Sequence, residues 1–290
     1  ANPRLGSFSG DEFRGRLRYA NGVGTLTGGE LRLGTSRYLI TGNVTPGANP
    51  QFNGKVSIPQ GKLEDLLVAL QWFDLDDPLR GLRPATYSRA AAVQTVPVGS
   101  STDTLLLQLR RFSEIQTLLR QQVAQRESFP LPKLSELTGT FSGDIRIAGS
   151  LRSGLNLGFN LQGQDWKWGN FFANQVVLNG DFQNGILTLQ PVRFQSGDTL
   201  IAFTGQVGGK TQSGQLQVQN LPVERLQDFF PLPLNITGKL NGTATLAGSL
   251  FNPQALGDLS LAEGTLNNTP VETARASFNY RNSRLSFGST

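Results

Sequence analysis

Apolar residues fall on alternate positions through most of this chain. Leu155, Leu157, Phe159 and Leu161 are separated by polar or small residues. The same holds for Ile145 and Ile147, Leu187 and Leu189, Leu216 and Val218, Leu259 and Leu261, Phe278 and Tyr280, and Leu285 and Phe287, with Leu246 in the same series. A period of two is the mark of a strand with one apolar face, because successive side chains leave a strand on opposite sides. Asn-Gly pairs at 21–22, 53–54, 179–180, 184–185 and 241–242 break the alternation, and Asn-Gly between alternating segments is a strong hairpin signal. The pattern predicts an antiparallel all-β meander with turns every 8–12 residues or so.

The meander repeats. Moved by 163 positions, residues 13–67 lie on 176–230 without a gap: Asn21-Gly22 on Asn184-Gly185, Leu26 on Leu189, Thr41-Gly42 on Thr204-Gly205, Val44 on Val207, and Pro59, Leu63 and Asp65 on Pro222, Leu226 and Asp228. A shift of 99 lays Thr138-Gly139 and Gly143 on Thr237-Gly238 and Gly242, and Ala148–Leu151 on Ala247–Leu250. Two registers sharing one unit of about 100 residues define the organisation: the second half of a unit at 1–67, an insertion at 68–131, a complete unit at 132–235, and the front of a third at 236–290. Each copy of the Pro-x-x-x-Leu-x-Asp segment predicts one helical turn closing a unit.

The insertion carries the one longer helical pattern. Over 111–126, Phe112, Ile115, Leu118, Leu119 and Val123 are spaced for one helix face, with Arg110, Arg111, Glu114, Arg120, Gln121 and Arg126 opposite. Its plainer role is packing onto the nearest sheet; its sharper one, through Phe112, Ile115, Leu119 and Val123, is a lid over an apolar channel.

Composition narrows the chemistry. The 290 residues include no Cys, His or Met. Without His there is no Ser-His-Asp triad and no imidazole base; without Cys or His the usual zinc, iron–sulfur and haem ligands are missing, and no metal or other cofactor is expected. Gly6-Ser7-Phe8-Ser9-Gly10 puts Phe where a nucleophile elbow needs Ser, and Asp74, Asp76 and Asp77 lack the later ligands of a calcium loop. No enzyme is expected. Charged residues make up only 16% of the chain, with a net charge of +5; this mild basic bias does not by itself call for a nucleic-acid partner. Arg14, Arg16 and Arg18 form a stripe opposite Phe13, Leu17 and Tyr19, read as a soluble outer face ahead of a contact for phosphate headgroups or an acidic partner. No apolar run reaches the ~20 residues of a membrane span. The missing Met and the repeats cut at both ends point to a segment of a longer protein, expected to be monomeric.

A repeating meander must bury its apolar face, yet no unit supplies a second sheet or a covering helix. One long sheet folded lengthwise into a trough satisfies the pattern, with Leu, Ile, Val and Phe inside. Large exposed apolar surface marks a binding site, and an acyl chain would fill it, gaining roughly 0.8 kcal/mol per buried methylene. About 20 strands ~4.8 Å apart would span on the order of 100 Å. The candidate lining is Ile145, Ile147, Leu155, Leu157, Phe159, Leu161, Leu187, Leu189, Leu216, Val218, Leu246, Leu259, Leu261, Phe278, Leu285 and Phe287. A chaperone groove for unfolded barrel strands, or a scaffold with a filled interior, are the competing readings.

Residues 137–151 (Leu-Thr-Gly-Thr-Phe-Ser-Gly-Asp-Ile-Arg-Ile-Ala-Gly-Ser-Leu), 236–253 and 196–205 (Ser-Gly-Asp-Thr-Leu-Ile-Ala-Phe-Thr-Gly) resemble the TamB family of the translocation and assembly module, within the AsmA-like group, in its cyanobacterial or chloroplast-envelope form. The resemblance implies an open β-taco on a long protein anchored in the inner membrane and crossing the periplasm, or the intermembrane space of a chloroplast. It further implies phospholipid transport, assembly of outer-membrane proteins, and partnership of the parent protein with a BamA/TamA-type barrel. It carries over no catalytic residues, and the insertion departs from the repeat.

Overall fold

In the computed structural model the described residues are 2–74, 77, 132–150, 152, 154–208, 212–227, 235–249, 252–281 and 284–288. A short hairpin comes first, β1 (Arg4–Leu5) with β2 (Phe8–Ser9). Four strands follow: β3 (Glu12–Ala20), β4 (Val23–Leu33), β5 (Ser36–Thr45) and β6 (Gln51–Lys62), then helix α1 (Leu63–Leu70). A 3-10 turn (Leu134–Glu136) leads into β7 (Thr138–Ser150), β8 (Gly154–Trp168), β9 (Phe171–Gln183), β10 (Ile186–Ser196), β11 (Thr199–Gly208) and β12 (Ser213–Pro222), closed by α2 (Glu224–Gln227). The last strands are β13 (Ile236–Ser249), β14 (Asn252–Leu266), β15 (Thr269–Arg281) and β16 (Arg284–Gly288).

β3 to β16 form one 14-stranded antiparallel sheet in chain order, and its first and last strands do not pair. The fold is therefore an open all-β meander of the taco type, not a barrel. At ~4.8 Å per strand the sheet runs about 65 Å along its hydrogen bonds, shorter than the span expected from sequence because the strands are long, up to 15 residues in β8 and β14. Three of the Asn-Gly pairs explain that length. Asn21 and Gly22 (φ 51° and 77°) and Asn184 and Gly185 (φ 52° and 78°) are left-handed hairpin turns. Asn53-Gly54, Asn179-Gly180 and Asn241-Gly242 instead lie inside β6, β9 and β13. Their glycines serve close strand approach, not reversal: a Cβ on Gly180 would lie 2.7 Å from the Phe159 ring, and one on Gly242 2.7 Å from the Asp258 carbonyl.

The sequence shifts coincide with elements. Moved by 163 positions, Val23–Leu33 becomes Ile186–Ser196 and Ser36–Thr45 becomes Thr199–Gly208, so β4 and β5 fall on β10 and β11. Moved by 99, Thr138–Ser150 falls within β13.

The connections alternate between two long margins of the sheet. The α1 and α2 segments share one, the helix margin. The other, the loop margin, holds the turns after β3, β5, β7, β9, β11, β13 and β15. Register shifts sit mostly toward the helix margin, at Arg14/Arg16, Arg37/Leu39, Ile58/Gly61, Thr138/Thr140, Val218/Leu221 and Thr237/Lys239. Each inserts an extra residue and increases local bend and twist.

α1 is longer than the single turn expected. Leu63, Leu66, Leu67 and Leu70 share a face, Glu64 and Asp65 occupy the first turn where the helix dipole favours acids, and Gln71 ends it in a left-handed conformation (φ 58°). It lies on the apolar face and buries Leu63 and Ala69 with Leu33, Tyr38, Ile58 and Phe141, and Leu67 is buried too. Asp65 ties it to the β4–β5 turn: one carboxylate oxygen accepts from the backbone N–H of Thr35 (3.0 Å) and Ser36 (3.1 Å) and from both hydroxyls (3.2 and 2.7 Å). The Ser36 hydroxyl in turn accepts from the Lys62 N–H at 2.7 Å. The predicted helix over 111–126, with Phe112, Ile115, Leu119 and Val123, lies outside the described residues.

Asp65→Ala removes a charged acceptor serving four donors, of which the Ser36 pair is part-buried. It is expected to lower unfolding free energy by about 2–3 kcal/mol, read from urea denaturation midpoints at unchanged slope.

Candidate functional site

Cross-strand partners share a face, so the registers trace the apolar surface directly. Ile145 stands opposite Phe159 and Ile147 opposite Leu157, while Leu155 and Leu161 pair with Gly149 and Gly143. Leu157 then meets Phe182, Phe182 meets Leu187, and Leu189 meets Gly180. Leu187 pairs with Val207, Phe203 with Leu216, and Ile201 with Val218. Leu246 pairs with Gly214, Leu259 with Gly242, and Leu261 with Leu240. Phe278 pairs with Gly257 and Phe287, and Leu285 with Tyr280. Leu155 aside, which is placed by strand register alone, the structure brings the candidate lining positions onto one continuous face.

The candidate lining left out further members of that face, among them Phe13 and Leu17, which the sequence already sets opposite the arginine stripe. Phe13 pairs with Leu31, Leu17 with Leu26, and Ile40 with Val56, which pairs in turn with Ile145. Val192 and Phe194 pair with Phe203 and Ile201. The first group shows the same alternation and was legible. The second follows the irregularity around Gln190–Arg193, which moves the apolar set from odd to even positions, so a strict period of two loses it. Trp166 comes after a left-handed Asp165 (φ 55°); its ring lies over Gly163 and edge-on to Phe194 at 6.3 Å, and its Nε1–H donates to the Thr140 carbonyl at 2.9 Å.

The opposite face is polar. Arg14 pairs with Glu12 (2.7 Å), Arg32 and Arg37 share Glu30 (3.0 Å each), and Lys55 meets Asp144 (3.0 Å). The Arg32 and Arg37 guanidiniums hold the Glu30 carboxyl below its usual range, and the Ser57 hydroxyl and Lys55 do the same for Asp144. Arg16 and Arg18 are in register with Thr27 and Thr25 on this face, so the arginine stripe is outward. Polar residues of β12–β15, among them Gln217, Asn241, Asp258 and Arg275, border a shallow depression there.

The apolar face is covered unevenly. Toward the helix margin Leu33, Tyr38, Ile58, Phe141, Val192 and Leu221 are buried. Toward the loop margin Val44, Phe52, Ile147, Leu157, Phe182, Leu187 and Leu246 are only half-buried, and no described helix lies over them. At the sheet's two ends Leu17 is 73% exposed and Phe287 62%. Burial pushes the Tyr38 hydroxyl up to about 12. The site is therefore a trough walled by α1 beside β4–β7 and open toward the loop margin.

Inner-face glycines keep it narrow. Gly42 faces Gly54, and a Cβ on Gly42 would stand 2.7 Å from the Asn53 carbonyl and 2.9 Å from the Gly54 Cα. Gly205 and Gly214 face each other in the same way. Among the described residues no group of three or more His, Cys, Asp or Glu could hold a metal, and no helix is long and apolar enough to cross a membrane.

Two plant proteins are similar in sequence. SUBSTANDARD STARCH GRAIN 4 of Oryza sativa subsp. japonica is 22% identical over 312 residues, covering 91% of this chain and 14% of that protein. TIC236 of Arabidopsis thaliana is 24% identical over 156 residues, covering 48% of this chain and 7% of that protein. Both are chloroplast proteins. The chain spans a small part of either, no family model matches it, and no solved structure matches it.

Two outcomes check this geometry. Gly42→Ala forces β5 and β6 apart and is expected to cost about 1–3 kcal/mol in urea unfolding. Tyr38 is neutral in the fold at a pH where the unfolded side chain ionises, so its contribution is complete below pH ~10 and is lost as pH rises toward 12. Tyr38→Phe is expected to flatten that part of the alkaline stability profile.

Proposed function

We propose that this chain is a segment of a TamB-like envelope protein whose apolar trough carries phospholipid acyl chains between two membranes. The setting that fits the two relatives is the chloroplast envelope. The observation that carries the reading is the single apolar face, continuous through fourteen strands and left half-buried toward the loop margin. In water such a surface is unfavourable at roughly 25 cal/mol per Å²; a file of acyl chains removes that cost, and no chain needs a fixed polar anchor to move along it. Carriage of this kind involves no covalent step. A BamA/TamA-type barrel would meet the parent protein elsewhere along its length.

A second reading rests on the sheet ends. β3 and β16 each have one unpaired side among the described residues, and an unpaired strand edge is a template for an added strand. An unfolded barrel protein could be held there in transit.

Native mass spectrometry of the purified chain is expected to find co-purified phospholipid. Leu157→Asp, which places a carboxylate in the trough, is expected to lower that occupancy about five-fold or more while leaving the circular dichroism of the sheet unchanged. A photo-crosslinker at Phe159 that captures unfolded barrel proteins and no lipid would replace the first reading by the second.

A further inference from the structure

The two margins of the trough differ in charge as well as in cover. On the helix margin bases and acids are mixed, and Glu12, Glu30 and Glu263 are ion-paired with Arg14, with Arg32 and Arg37, and with Lys239. On the loop margin Asp181 is the single acidic residue within three positions of any turn, whereas Arg18, Arg152, Arg281 and Arg284 all fall in that zone. These four arginines are exposed, and none has a carboxylate partner among the described residues. They recur along the length of the sheet, at β3, at the β7–β8 turn and at the β15–β16 turn. Thus the side on which the apolar face lies open is also the side with uncompensated positive charge.

An amphiphile lying in the trough has one way to arrange itself. Its acyl chains occupy the apolar face, and beside β4–β7 α1 and the buried cluster block the helix margin, so there its polar end emerges over the loop margin. Guanidinium groups there can donate paired hydrogen bonds to phosphate oxygens, and a rim with Asp181 as its one carboxylate repels an anion little. We infer that the loop margin is a phosphate-reading rim and that the trough takes anionic phospholipids in preference to neutral lipids, with the headgroups turned over the sheet edge at the β7–β8 and β15–β16 turns to Arg152, in the turn itself, and to Arg281 and Arg284, which leave their strands on the polar face beside it. This rests on the acyl-carrying reading above and adds the lipid class and its orientation.

The test loads the 290-residue chain from an equimolar detergent mixture of dioleoyl phosphatidylglycerol, dioleoyl phosphatidylcholine and dioleoylglycerol, and quantifies bound lipid after extraction. Phosphatidylglycerol is expected to exceed dioleoylglycerol by about five-fold or more, in line with an exposed basic group at an anionic lipid surface. Its advantage over phosphatidylcholine should shrink at 1 M salt, where screening acts over about 3 Å. The triple variant Arg152→Gln/Arg281→Gln/Arg284→Gln should lose the preference and still carry dioleoylglycerol. The pair Arg32→Gln/Arg37→Gln, on the helix margin, should keep the preference. Equal loading of all three lipids, or a preference untouched by the triple variant, overturns the rim and leaves the acyl-carrying trough standing. Retention of inorganic phosphate by the arginines with no lipid preference also overturns it. Failure to load any lipid removes the trough reading itself.

Discussion

The structure depends on keeping one side of a very wide sheet apolar. A strand turns its side chains over at every residue, so one uncompensated slip in register would send all the later apolar side chains of that strand to the wrong face. Across fourteen strands the fold manages this with paired devices. Where the helix margin needs extra bend, a bulge is inserted, and the apolar series resumes one residue later: Leu187 and Leu189 give way to Val192 and Phe194, and Leu216 and Val218 to Leu221. The bulge and the shift in pattern are one feature, since either without the other would place leucine in water and glutamine in the trough.

Curvature comes from the same constraint. A flat sheet with one apolar face would expose it entirely, and a closed barrel would fill it. The intermediate form needs inner positions small enough for strands to approach on the concave side, which Gly42 against Gly54 and Gly205 against Gly214 supply. It also needs a wall. α1 provides one by docking leucines onto Phe141 and Ile58, and Asp65 fixes its approach through the Thr35–Ser36 turn. The same residues that stabilise the helix margin thereby leave the loop margin to be completed by something other than this chain's described residues.

The arrangement separates two tasks that small binding pockets combine. In a pocket, a few polar groups fix one ligand in one pose. In the proposed reading, apolar contact is distributed along tens of ångströms, so no position would hold a lipid more tightly than its neighbours, and polar selection would be moved to a rim. Weak, repeated, equivalent sites are what passage along a surface requires.

Much of this was legible in the chain itself. Alternation at Leu155 through Leu161 and at Leu259 and Leu261 identified strands and their inner face, because a period of two has one structural meaning. The offsets of 163 and 99 identified the repeat, because equivalent strands need equivalent turns. Local pattern failed where its meaning depends on a neighbour. Asn53-Gly54, Asn179-Gly180 and Asn241-Gly242 read as hairpins, yet each is a strand interior whose glycine yields to a backbone or ring across the sheet. Val192 and Phe194 were hidden by an irregularity that only pairing with β9 and β11 reveals. That α1 walls one margin beside β4–β7 while arginines stand at three places on the other was likewise decided by the tertiary structure, since residues such as Arg18 and Arg284 come to one open rim only when the meander sets all its odd-to-even turns on the same side.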